Sequence, residues 1–327
     1  MISIMRYRHI AYEFYIGDVS GRLSRIEGIE PPKPVLLPTL LLKDGQGNLK
    51  ATTDTTPIIK RFENEYPDRK LLPEDPALSF INYLLEDFGD EWVTKYMFHY
   101  RWYFEEDANN ASTILPLSDL ATNMDDGTLK EVKKMIHDRQ HGRLWVVGSN
   151  DTTAKLIDSS YRRFVKLMDD HLSVSRFLFG EKPSSADFAI YGQLTQLIGF
   201  DPTSRRIASE NSLRLVSWVD VMADLSGHDV NNSNWTSLED SPPSLKEIMK
   251  EFGQMYVPAL LANAKAIMEG DETWETEIDG STWKQKAFPY QAKCLKWIKE
   301  EFNTLSKNDK TRIKTFLEGT GCEAILD

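Results

Sequence analysis

A strand–turn–strand–helix pattern between Thr39 and Tyr66 most constrains how this chain can fold. Thr39 to Leu42 is short and apolar, residues 44–47 (DGQG) are a tight turn, and Leu49 to Thr53 returns as a second strand. Residues 54–57 (DTTP) then predict a helix start, with a capping hydroxyl and a proline inside the first turn. The pattern predicts a small hairpin followed by an amphipathic helix.

The residues before this hairpin give weaker signals. Tyr12 to Ile16 is rich in aromatic residues and predicts a strand, whereas Val19 to Ile29 has a weak helical pattern. Pro31, Pro32 and Pro34 then favour an extended or turning backbone. This part of the chain therefore predicts a mixed α/β unit.

From Ala77 onward, apolar residues recur with a helical period. The pattern predicts one long, aromatic-rich helix over Phe80–Phe104 and a polar break over Glu106–Thr113. The polar stretch Gly227–Pro243 predicts a boundary, and Trp274–Lys286, with its Asp-Gly turn, predicts a β-hairpin. The other predicted helices are Leu129–Gln140, Asp151–Leu172, Ser184–Ile198, Ser209–Asp224, Ser244–Gly253, Val257–Glu269, Tyr290–Leu305 and Asp309–Leu317.

Charge and cysteine content exclude several classes of protein. The 327 residues include 39 Lys and Arg and 50 Asp and Glu, and the net charge of −11 argues against a nucleic-acid partner or an anionic membrane surface. The longest apolar run, Val35 to Leu42, is far too short to cross a bilayer. The two cysteines, Cys294 and Cys322, make no disulfide framework, so we expect a cytoplasmic protein.

Two groups of motifs resemble the glutathione S-transferase family. The first comprises LLPTL at 36–40, DG at 44–45, DTTPII at 54–59, FE at 62–63 and YP at 66–67. The second is GEKPSSADF at 180–188, which is similar to the family's helix-start motif; there Ser184 and Asp187 predict a capping box with a folding role. The resemblance covers roughly residues 5–226, and is closest to bacterial members with an extra C-terminal segment.

This resemblance implies an α+β fold in three parts. Residues 1–73 would form a thioredoxin-like domain that lacks its first strand, residues 77–226 an all-helical domain, and residues 227–327 a mostly helical extension. The family's activity implies glutathione as co-substrate, transferred to a small apolar electrophile without a metal. The family's usual assembly implies a homodimer.

The resemblance places the glutathione site at Leu37, Pro38, Asp54 and Thr55. A cis peptide bond before Pro38 would let the backbone of Leu37 pair with the cysteinyl part of the tripeptide, like an added strand. Thr55 would give its amide and hydroxyl to the γ-glutamyl carboxylate, since a helix N-terminus favours anions. Asp54 would face the α-amino group. Without the resemblance, residues 54–57 are an ordinary helix cap.

We assign no catalytic residue from the sequence. In the family, a Tyr, Ser or Cys at the mouth of the first helix activates the thiol, but residues 5–14 resemble the end of that helix running into the second strand. Ser3 would lie inside the helix and is a poor substitute. Three explanations stay open: a fragment or mis-started chain, a rebuilt N-terminal half, or a natural non-catalytic derivative. Alternative functions are a non-catalytic binding or dimerisation module and a carrier of apolar ligands.

Several other groups of side chains are of types that form metal sites, nucleophiles or substrate pockets. Four carboxylates of one predicted helix suggest a metal site: Glu86, Asp87, Asp90 and Glu91, with His99 nearby. A carboxylate metal site needs ligands that converge from several helices, and the sequence does not indicate them. The spacing of Glu91 and Lys95 instead predicts an ordinary i,i+4 pair. We interpret His137 and His141 as residues of a solvated helix end, not as metal ligands. We predict that Cys294 is buried and inert, and that Cys322 has a structural role although it lies near the chain end. We predict that most aromatic residues of the long helix belong to the core and that one or two line a substrate pocket. These aromatic residues are Tyr96, Phe98, Tyr100, Trp102 and Tyr103.

Overall fold

A computed structural model describes residues 1–17, 19–25, 29–33 and 36–326. The described chain is mostly helical and contains two separate, two-stranded antiparallel sheets, so the α+β class is confirmed. Within these ranges, no helix is both long enough and apolar enough for a membrane crossing.

The N-terminal part contains the predicted hairpin and the helix after it. Its elements are α1 (Ile2–Tyr7), α2 (Val19–Leu23), β1 (Leu40–Lys43), β2 (Leu49–Thr52) and α3 (Thr55–Glu65). Helix α3 begins after Asp54, whose carboxylate accepts a hydrogen bond from the Thr56 amide at 3.3 Å. Its apolar face is buried against α1, where Ile58 and Phe62 pack with Met5.

A buried arginine ties α1 to the end of α3. The guanidinium of Arg8 binds the carboxylate of Glu63 and the backbone carbonyls of Phe62 and Tyr66. These carbonyls lie at the C-terminus of α3, where the helix dipole favours a cation. The arginine therefore fixes the angle between two helices that flank β1.

The predicted strand Tyr12–Ile16 is wrong. This segment has no regular secondary structure and pairs with no strand among the described residues, and Phe14 and Ile16 are largely exposed. Strand propensity becomes a strand only where a neighbouring backbone supplies hydrogen bonds. The weak helical pattern of Val19–Ile29 yields only α2, and residues 26–28 lie outside the described part of the chain.

The middle of the chain is a helical bundle. The predicted long helix consists of two α-helices joined by a π-helical turn. The elements are α4 (Pro76–Phe88), the first π-turn (Gly89–Val93), α5 (Thr94–Tyr103), α6 (Glu105–Asp119), α7 (Asp126–His141), a 3-10 turn (Leu144–Val147), α8 (Ala154–Leu172), α9 (Ser185–Leu197), α10 (Pro202–Asn211) and α11 (Leu213–Met222). The capping box that starts α9 is confirmed, with Ser184 and Asp187 in reciprocal hydrogen bonds.

Two sequence predictions fail in this bundle. The polar break Glu106–Thr113 is instead part of α6, because acidic residues suit a helix N-terminus and Ala108 and Ala111 supply an apolar face. The single helix Ser209–Asp224 is two helices. Ser212 is extended between them, and its hydroxyl accepts a hydrogen bond from the Leu215 amide to cap α11.

The C-terminal extension is helical around one hairpin. Its turn, Asp279-Gly280, has positive φ at both residues, as a two-residue hairpin turn requires, so the predicted hairpin is confirmed. The elements are α12 (Pro243–Glu251), the second π-turn (Phe252–Tyr256), α13 (Val257–Glu269), β3 (Thr273–Ile278), β4 (Ser281–Lys286), α14 (Pro289–Thr304), α15 (Lys307–Leu317) and a 3-10 turn (Cys322–Ile325).

The extension shares one hydrophobic core with the bundle. The two π-turns meet there: the ring of Trp92 lies 5.8 Å from the ring of Tyr256, whose hydroxyl donates to Asp87 at 2.7 Å. On the hairpin, Trp283 is fully buried and its ring is 5.3 Å from that of Trp92. Gly148 leaves the necessary room, because an added Cβ would lie 2.6 Å from the Trp283 ring.

Lys95 lies inside this interface, where it and Glu91 attract each other electrostatically but form no ion pair within the described chain. Its Nζ is 3.4 Å from the Gln285 side-chain oxygen and lies over the rings of Trp92 and Trp283. Burial lowers the pKa of Lys95 to about 8. The π-turn widens the helix between the two residues, so a spacing of four no longer places them side by side at the surface.

We expect Trp283→Ala to lower the free energy of unfolding by about 3–5 kcal/mol, because it empties the centre of the contact between extension and bundle. Urea unfolding followed by circular dichroism measures the loss. The matched control is Trp297→Ala, which removes a tryptophan that is 41% exposed and should cost about 1 kcal/mol or less. Equal losses in the two variants would contradict this role for Trp283.

Candidate functional site

The hairpin brings the predicted glutathione-site residues to one end of the sheet. Leu40 pairs with Thr52, and continuing that register places Pro38 across from Asp54. The peptide bond between Leu37 and Pro38 is cis. The side chain of Leu37 is 76% exposed, so nothing within the described ranges covers this end of the hairpin at that residue.

The start of α3 has an unusual backbone and free donors. Asp54 has φ +76° and ψ 117°, a conformation that a residue with a side chain rarely adopts and that often accompanies ligand sites. The capping group is its carboxylate, not a hydroxyl. In the described chain, the amide and hydroxyl of Thr55 make no hydrogen bond, so both are available to a ligand.

Glu86 connects this helix start to the bundle, a role that the sequence analysis missed. Its buried carboxyl group accepts hydrogen bonds from Thr56 Oγ1 at 2.6 Å and from Ser185 Oγ at 2.5 Å. The Ser185 hydroxyl also accepts from the Asn82 amide at 2.7 Å. The network links the N-termini of α3 and α9 to α4. Polar residues on the otherwise apolar face of α4 were the available sequence signal.

The surroundings of Asp54 are acidic. Burial raises the pKa of Glu86, Asp90 and Glu91, and each of these carboxyl groups also interacts unfavourably with Asp54. Partial desolvation raises the pKa of Asp54 as well. Within the described part of the chain, no three His, Cys, Asp or Glu side chains form a metal-binding group. The arrangement favours a ligand that brings a positive charge to Asp54.

Helix α14 of the extension lies beside this site. Lys60 of α3 is 3.9 Å from Glu301 of α14, and Tyr290, at the start of α14, interacts with Asp54. Burial, with the Asp54 charge second, raises the pKa of Tyr290. Tyr290 and Trp297 are partly exposed, with their rings 6.0 Å apart. The extension therefore contributes an aromatic surface next to the start of α3, which the sequence did not indicate.

Ser3 and the two cysteines are buried and offer no accessible group for activating a thiol. Ser3 is buried in α1, and its hydroxyl donates to the Ala223 carbonyl at 3.3 Å. Cys294 is buried, as predicted. Cys322 is also fully buried, so its position near the chain end gives it no access to solvent; burial raises its pKa to about 12, and its thiol donates to the Met249 carbonyl.

The aromatic residues of α5 are mostly core. Tyr96 and Tyr100 are fully buried, and their hydroxyls bond to Ser160 and Asp158. His137 and His141 stack on each other near the end of α7. None of these residues belongs to the site at the start of α3.

Comparisons with known proteins give no match for this chain. No protein-family profile, no curated protein and no solved structure is significantly similar to it. Support for any function therefore comes from the residues of this chain alone.

We expect Asp87→Asn to remove a pH-dependent part of the stability. Burial, with the Glu91 charge second, raises the pKa of Asp87 to about 7, so the folded state prefers its protonated form. That contribution is complete below the unfolded pKa of about 4 and is lost as the pH rises through about 7. In urea unfolding between about pH 4 and pH 8, wild type should lose about 2–4 kcal/mol more than the variant.

The control for this comparison is Asp170→Asn, which alters an exposed carboxylate paired with Lys166. It should keep the wild-type dependence of stability on pH. If Asp87→Asn also keeps that dependence, Asp87 does not titrate as described.

Proposed function

We propose that this chain is a glutathione-binding protein of the glutathione S-transferase type, and that Leu37, Pro38, Asp54 and Thr55 form its tripeptide site. The free amide and hydroxyl of Thr55 at the N-terminus of α3, beside the strained backbone of Asp54, carry the proposal. Their position at the same end of the hairpin as the exposed Leu37 supports it further.

Each part of the tripeptide has a complementary group in this proposal. The γ-glutamyl carboxylate binds the Thr55 amide and hydroxyl, where the helix dipole stabilises a negative charge. The α-ammonium group faces Asp54 and offsets the repulsion among the carboxyl groups around it. The backbone of Leu37 pairs with the cysteinyl residue in the manner of an added strand.

The proposed architecture is a thioredoxin-like N-terminal domain without its first strand, followed by a transferase-type helical domain. The order β1, β2, α3, with α1 packed on the same cluster as α3, supports the first part. The bundle and the confirmed capping box at Ser184 support the second. A cytoplasmic homodimer acting on an apolar electrophile completes the proposal.

One observation favours binding without catalysis as the second candidate. A transferase must stabilise a thiolate with a nearby hydroxyl, thiol or cation. Ser3 uses its hydroxyl within the fold, and Cys294 and Cys322 are buried. A non-catalytic binding or dimerisation module fits these features.

Retention on immobilised glutathione tests the binding site. We expect wild type to bind and Thr55→Ala to bind at least about tenfold more weakly, because the ligand carboxylate loses a hydrogen bond at the helix start. Thr53→Ala, two residues earlier and outside α3, is the matched control and should bind like wild type.

The same proteins are then assayed with a chlorinated nitroaromatic electrophile. Turnover would favour the transferase, and binding without turnover the non-catalytic module. Absence of retention by wild type, or equal retention by Thr55→Ala, would overturn the site.

A further inference from the structure

A cavity of about 680 Å³ has none of the residues proposed to hold glutathione in its lining. One wall is the loop between α3 and α4, which includes Arg69 and Lys70. Another is the loop leading into the extension, which includes Trp235, and Lys182 lines the cavity just before α9. The cavity therefore lies where all three parts of the chain meet.

The ion pairs around this cavity do not include Lys182. Lys70 pairs with Glu74, and Asp75 pairs with Arg312. Lys182 makes no ion pair with any described residue; its ammonium lies 3.8 Å from the centre of the Trp235 ring. Arg69 donates hydrogen bonds to the backbone carbonyls of Tyr7, Leu225 and Ser226, and its guanidinium lies 4.6 Å from the centre of the Tyr7 ring.

The acidic groups near Lys182 form no ion pair with it. Glu63 is already bound by Arg8, and Glu74 by Lys70. Asp68 is exposed at the cavity and forms no ion pair with a described residue. The lining carries three basic and three acidic side chains, so its formal charge is balanced, but the ammonium of Lys182 has no ion-paired carboxylate among the described residues.

The wall of this cavity contains an unsatisfied polar atom. The Trp235 indole nitrogen is buried and has no hydrogen-bond partner in the described chain. Buried polar groups nearly always have partners, so this N–H in the cavity wall points to a missing hydrogen-bond acceptor.

We propose that this cavity binds a small organic anion, a carboxylate or a phosphate ester. The ammonium of Lys182 holds the anionic group, and Trp235 supplies an aromatic wall with an indole N–H as a further donor. Such a ligand would supply the charge and hydrogen-bond acceptors that the protein lacks there. Because it touches all three parts of the chain, it would also stabilise their contact.

Titration of protein labelled with nitrogen-15 at its tryptophan indoles tests this proposal. The probes are inorganic phosphate and succinate at constant ionic strength, and Trp235→Phe identifies the Trp235 signal by its loss. We expect one or both probes to shift that signal saturably, with a dissociation constant of about a millimolar. Lys182→Gln should weaken binding at least about tenfold, and Lys182→Arg should retain most of it.

The control variant is Lys166→Gln, because Lys166 is an exposed lysine with its own partner, Asp170. It should bind like wild type. A response to phosphate alone assigns a phosphate ligand, and a response to succinate alone assigns a carboxylate. No saturable shift in wild type, an equal shift with chloride, or unchanged binding in folded Lys182→Gln would overturn the proposal. None of these outcomes depends on glutathione binding.

Discussion

The aromatic contact between the two π-turns holds the tertiary structure together. Each turn adds a residue to its helix, and this brings Trp92 of the bundle against Tyr256 of the extension, with Asp87 accepting the Tyr256 hydroxyl. Trp283 then packs on Trp92 and encloses Lys95. Burial of large aromatic surfaces is the dominant stabilising term in such a contact. The bundle and the extension consequently form one core instead of two independent units.

The candidate glutathione site depends on that core. Glu86 lies one residue before Asp87 on α4, and its carboxyl group holds Thr56 at the start of α3. The extension acts on the site from the other side, where Tyr290 of α14 lies near Asp54. A small hairpin and one helix would be a marginal scaffold alone, and the buried network gives this helix start a fixed position. The N-terminal residues supply the site, and the rest of the chain holds it.

Much of the local structure was predictable because its causes are local. The Asp54 cap, the Ser184–Asp187 capping box and the Asp279-Gly280 turn are each decided by a few neighbouring residues. Segments whose state depends on distant partners were predicted wrongly. Tyr12–Ile16 has strand composition but no neighbouring strand in the described part of the chain, and α6 is polar in sequence yet buries alanines against the bundle.

The sequence by itself determined the α+β class, the hairpin and the order of most helices, because periodicity, caps and turns act over a few residues. It also indicated that α3 begins after Asp54, where we propose that a tripeptide binds. Only the tertiary structure decided that Lys95 is buried, that Glu86 supports the site, and that Lys182 lies over Trp235 and forms no ion pair with any residue that the structure describes. These are contacts between residues far apart in the chain, and side-chain burial and charge balance follow from such contacts alone.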